Sequence, residues 1–160
     1  PVMSYQRGQY NFDESTGPSN FAEQLGLTNL GLTIFPLVKG EGFDFFHSHR
    51  EQEEIYLCLE GSAVLLIKED DGSVTELQFK RGEVVRVEPQ TLRAVGNLYA
   101  ERAQVLVAGA CPHTYPAGFG HHDVIADVRS IIGRGETGFK MPSGMEHSST
   151  SEGDIPEDDC

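Results

Sequence analysis

The chain has 160 residues, of which 38% are hydrophobic and 23% charged, and a formal net charge of −13. That length suits a single domain with a real core. The acidity argues against nucleic acid, whose phosphates need clustered Lys and Arg, and no apolar run approaches the ~18–20 residues of a membrane span. Cys58, Cys111 and Cys160 are an odd number, widely spaced and without a CxxC pair. The first twenty residues are polar, so a reduced, cytoplasmic protein is expected.

In chain order, residues 1–32 read as an arm with one short helix. Asn20 with Glu23 three residues later resembles a capping box, and Gly26 stops the helix. Residues 33–110 read as β throughout, in runs rich in Val, Ile, Leu, Phe and Tyr. These runs are Thr33–Val38, Phe43–His49, Glu54–Glu60, Ser62–Ile67, Val74–Phe79, Glu83–Val87, Arg93–Asn97 and Ala103–Ala108. Turn residues separate them, among them Gly40, Gly61, Gly72 and Gly82. Short strands so spaced point to an antiparallel sandwich or barrel.

Residues 111–140 change character. A Pro/Gly/aromatic loop leads to Asp123, which can cap a helix with Val124, Ile125, Val128, Ile131 and Ile132 at helical spacing, ending at Gly133. A C-terminal helix is therefore expected there. Residues 141–160 hold six acidic residues and no Lys or Arg. Without this tail the body carries 19 acidic against 12 basic residues. The tail's composition is that of a segment too polar to pack a core.

The chemistry concentrates between residues 47 and 61. His47 and His49 alternate on an expected strand and so face the same side. Glu54, at the head of the next strand, can reach the same point if Tyr56 and Cys58 share its face and Ile55, Leu57 and Leu59 take the other. Two imidazoles and a carboxylate with open positions suit a divalent transition metal. The alternative is a pair of hydrogen-bonded histidines lining a barrel. Glu51 and Glu53 read as solvated turn charges. Tyr56, Phe35, Phe45 and Phe79 serve either as core or as the lining of a small-molecule pocket.

The run from Gly42 through His47-Ser-His49 and Glu54 to Gly61 resembles the first signature of the cupin superfamily. From His47 onward the match is complete; the first gap is one residue short. Gly82 through Asn97 occupies the place of the second signature, with Pro89-Gln90 at its turn and Arg93 where the family has a metal-binding histidine. The resemblance spans roughly residues 33–110 and implies an all-β, cupin-type jelly-roll barrel. It also implies a metal site of His47, His49 and Glu54 for Fe, Mn, Ni or Zn.

Arg93 breaks that site, because arginine stays protonated and has no lone pair for a metal. Two roles are open to an inward-facing Arg93. It can clamp the anionic end of a substrate, with Glu54 and Arg93 catalytic and Arg93 and Tyr56 contacting substrate, or it can pair with Glu54 and replace the metal. His113, His121 and His122 are the candidates for a replacement fourth ligand. The resulting expectation is a metal-dependent enzyme of oxygenase, isomerase or lyase type acting on a small anionic metabolite. The alternative is a non-catalytic small-molecule binder or regulatory module that has lost its metal. Edge strands need covering, so a homodimer is expected; light scattering should give twice the monomer mass, and elution at the monomer mass contradicts it.

Overall fold

The computed structural model describes residues 5–110, 127–145 and 153–154. The short helix forms where its signals lie. α1 spans Phe21–Leu25, the Asn20 side chain accepts from the Glu23 amide at 3.2 Å, and Gly26 closes it in the left-handed region at φ 66°. Phe21 and Ala22 are buried, because α1 packs on the first long strand.

Eleven strands are present among the described residues: β1 (Ser19–Asn20), β2 (Leu30–Val38), β3 (Phe46–His49), β4 (Glu53–Glu60), β5 (Ser62–Lys68), β6 (Val74–Lys80), β7 (Val84–Val87), β8 (Leu92–Gly96), β9 (Arg102–Ala110), β10 (Val128–Ile132) and β11 (Gly153–Asp154). They form two antiparallel sheets, ordered β1-β2-β9-β4-β7 and β11-β10-β3-β8-β5-β6. The strand runs of the sequence recur within a few residues at each end. The core lies between the sheets, where Phe35, Leu37, Tyr56, Cys58, Val105 and Val107 of one meet Leu65, Val95 and Ile131 of the other. The alternation is sharpest on β4: Glu54, Tyr56 and Cys58 are each 1% exposed, while Ile55 between them is 39% exposed.

The expected C-terminal helix is not there. Residues 128–132 are strand β10, which pairs antiparallel with β3 through Val128↔His49, Ser130↔Ser48, Ile131↔His47 and Ile132↔Phe46. The helical spacing of the apolar residues is real, but three of these five residues are β-branched, which favours extended backbone. The open backbone edge of β3 also needs partners. Tertiary pairing therefore outweighs local periodicity. Positions 123–126 lie outside the described residues, as do His113, His121, His122, Cys111, Cys160 and His147. Of the acidic tail, Gly153–Asp154 pairs with β10 as β11.

One close contact fixes how the second sheet is closed. Gly42 bridges to Gly96, and the Phe139 ring lies over Gly96 so tightly that a Cβ there would fall 2.2 Å from the ring. Gly96→Ala should therefore cost about 1–3 kcal/mol of stability by overpacking, read as a lower urea midpoint. Adding Phe139→Leu should recover part of that loss, and strict additivity of the two changes would contradict the contact.

Candidate metal centre

Strand geometry brings the four residues of interest together. His47 and His49 lie two apart on β3 and point between the sheets. β8 pairs with β3 through a single register position, His47↔Arg93, so Arg93 shares the inward face with His47. Glu54, the second residue of β4, reaches in from the opposite sheet. His47, His49, Glu54 and Arg93 are 1%, 0%, 1% and 0% exposed. The candidate ligand atoms of His47, His49 and Glu54 all lie within 4.8 Å of one another.

The Glu54 carboxylate is the hub. Its Oε2 accepts from Arg93 Nη2 at 2.7 Å, Arg93 Nε at 3.2 Å and the Tyr56 hydroxyl at 2.5 Å. Its Oε1 accepts from Gln52 Nε2 at 2.9 Å and lies 3.1 Å from His49 Nε2. Among the described residues neither ring nitrogen of His49 makes a hydrogen bond of good geometry. His47 Nε2 stands 3.9 Å from Oε2.

Arg93 is held from behind. Its Nη1 donates to the carbonyls of Pro89 at 2.9 Å and Thr91 at 2.8 Å. The guanidinium is therefore committed to Glu54, Tyr56 and the β7–β8 turn, which is the pairing with Glu54 that one of the two readings of Arg93 requires.

These contacts set the charge states. Burial by itself raises the Glu54 carboxyl, but the neighbouring His49 and Arg93 outweigh it and hold the group well below the ordinary carboxylate range. Burial, then Arg93 and His49, push the His47 imidazole well below its ordinary value, so it is neutral. Burial and the Glu54 charge raise the Tyr56 phenol, which stays protonated and donates. Arg93 remains a cation because Glu54 more than offsets its desolvation.

The donor set fits a divalent ion. Two ligands ~2.1 Å from a metal and at right angles to it are about 3.0 Å apart, close to the 3.1 Å between His49 Nε2 and Glu54 Oε1. A fully buried imidazole with no hydrogen-bond partner is costly, and a metal would satisfy it. His47, His49 and Glu54 would hold the ion. Arg93, Tyr56 and Gln52 would be the outer partners that orient a ligating carboxylate.

Two residues of this arrangement escaped the sequence reading. Gln52 obeys the same period of two as Glu54 and Tyr56, and that is the signal that could have found it. Gly109 sits opposite Glu54 in the β4–β9 register, and a Cβ there would lie 2.5 Å from Gln52 Nε2. A glycine inside a strand commonly marks such a close approach.

No protein-family model matches the chain, and no curated protein does. Solved structures do match. A cupin protein from Bacteroides fragilis shares 24% identity over 76% of this chain and 96% of its own, with a TM-score of 0.60. This chain has the cupin fold. A second cupin, an RmlC-like family protein with a double-stranded β-helix from Methanocaldococcus jannaschii, matches at 16% identity over 68% of this chain and 93% of its own, with a TM-score of 0.54. Oxalate oxidase, a longer cupin, matches at 15% identity over 65% of this chain and 56% of its own, with a TM-score of 0.50. The likeness is one of fold, and a fold hosts many functions.

The charge states make stability depend on pH in a fixed direction. In chelator, His47 and Glu54 both bind fewer protons folded than unfolded, so stability rises with pH through their ranges. It should be fully present above the ordinary imidazole value of 6.5 and fall below it through His47, then fall again below the ordinary carboxylate value of 4.5 through Glu54. Urea titrations across pH check this; Glu54→Gln should flatten the lower limb, and an unchanged lower limb would contradict the role of Glu54. Arg93→Met should cost about 3–5 kcal/mol, because it leaves a buried charge uncompensated.

Proposed function

We propose that this cupin binds a divalent transition-metal ion through His47, His49 and Glu54 and acts on a small anionic metabolite at that centre. The observation that carries the proposal is the fully buried His49 imidazole, set 3.1 Å from a Glu54 oxygen, at ligand spacing from a carboxylate that three other side chains already orient. An ion in that place supplies Lewis-acid polarisation of a substrate oxygen, or a site for dioxygen.

The chain's own residues do the rest. Arg93 and Tyr56 lock Glu54 Oε2 and Gln52 steadies Oε1, so the carboxylate does not swing. Arg93 thus supports Glu54 rather than clamping the substrate directly. Charge then argues for an anionic substrate. Glu54 and Arg93 cancel and a metal-bound imidazole adds no charge, so a divalent ion would leave a net double positive charge buried in the barrel. Such a charge is costly unless an anion meets it. The fold accommodates ligands of this kind, since the oxalate oxidase neighbour is seen with the substrate analogue glycolate.

The second reading is a binding module without metal, and the same Arg93–Glu54 pair favours it. The guanidinium stands where the resemblance places a fourth ligand and already neutralises Glu54. Elemental analysis after anaerobic reconstitution with Fe(II), Mn(II), Ni(II) or Zn(II) separates the two. The metal reading expects one ion per chain, lost in His47→Ala. It also expects tighter binding in Arg93→His, since removing the opposing charge and adding a ligand outweigh the lost hold on Glu54. No metal in the reconstituted protein favours the binding module.

A further inference from the structure

The loop that joins the two ligand-bearing strands is held by one distant residue. Only positions 50–52 separate β3, which carries His47 and His49, from β4, which carries Glu54. All three of their amides end on Asp127. Its Oδ2 accepts from the Glu51 amide at 2.7 Å and the Gln52 amide at 2.8 Å, and its carbonyl accepts from the Arg50 amide at 3.0 Å. Asp127 is 4% exposed. It is also the one non-glycine with positive φ among the described residues, at 60°.

Few side chains other than those of Asp and Asn tolerate the left-handed region. Glycine would sit there without strain. The carboxylate is what glycine cannot supply. From Gln52 the chain of contacts continues through its side chain to Glu54 Oε1. Asp127 thereby fixes both the backbone path from His49 to Glu54 and the residue that steadies the Glu54 carboxylate.

We infer that Asp127 is a positioning residue of the metal centre, setting the spacing of His49 and Glu54 from outside the ligand set. This rests on the metal reading above. Asp127→Gly isolates the effect, because it keeps the left-handed backbone and the carbonyl bond to Arg50 while deleting the two carboxylate bonds. Asp127→Asn keeps an acceptor and tolerates the same backbone.

Co(II) is the probe, read by its binding isotherm and its visible d–d bands, with amide exchange of the metal-free protein measured in parallel. Asp127→Gly should weaken Co(II) binding by about 10–100-fold, shift the d–d bands, and speed exchange at Glu51 and Gln52. Asp127→Asn should restore binding close to wild type and rescue the bands. Wild-type affinity and bands in Asp127→Gly would overturn the inference. Failure of the wild-type protein to bind Co(II) sinks the metal reading instead. The exchange data then decide the role of Asp127, and unchanged protection at Glu51, Gln52 and Glu54 in Asp127→Gly overturns it.

Discussion

Everything at the centre of this barrel follows from burying one carboxylate. Glu54 is almost wholly out of water, where an ionised group survives only if paired and hydrogen-bonded. Arg93, Tyr56 and Gln52 supply that pairing, and each has to be buried in turn. Arg93 then needs acceptors of its own, and it finds them in the carbonyls of Pro89 and Thr91. Gln52 needs space, which Gly109 leaves by having no side chain. The polar cluster is thus one connected network. Removing either Glu54 or Arg93 leaves the other's charge buried without its counter-charge.

The network also explains how an arginine can occupy a position that the sequence resemblance assigns to a ligand. In the His47↔Arg93 register, a histidine at residue 93 would present a lone pair. The guanidinium instead reaches past that point to the carboxylate. This trades one donor for a fixed positive charge. The Glu54–Arg93 pair is neutral as it stands.

Much of this was legible in the amino-acid order. The period of two placed His47 with His49, and Glu54 with Tyr56 and Cys58, and the turns at Gly40, Gly61, Gly72 and Gly82 marked the strands between them. Asn20 and Gly26 located the helix, because capping is a local interaction between near neighbours. Less local facts were hidden. That Arg93 bonds to Glu54 depends on contact between sheets, with the partners 39 positions apart in the chain. The strand at Val128–Ile132 was masked by apolar residues whose spacing also fits a helix, and only the open edge of β3 decides between the two. Gln52 followed the inward alternation yet was passed over beside its charged neighbours. Asp127 carries no sequence signal at all, since its role arises from meeting a loop 75 residues earlier.

The pairing of β10 with β3 has a consequence for the order in which the protein is made. β3, β4 and β8 emerge from the ribosome well before β10, so a nascent chain holds both histidines, Glu54 and Arg93 while β3 still has an unpaired edge. Pairings that distant in sequence close late, because their loop entropy must be met before their contacts reward it. In that interval the nascent chain has its donor residues but no Asp127 to anchor the 50–52 loop. A truncation ahead of Asp127 would stop it there, with a sheet edge open to other chains.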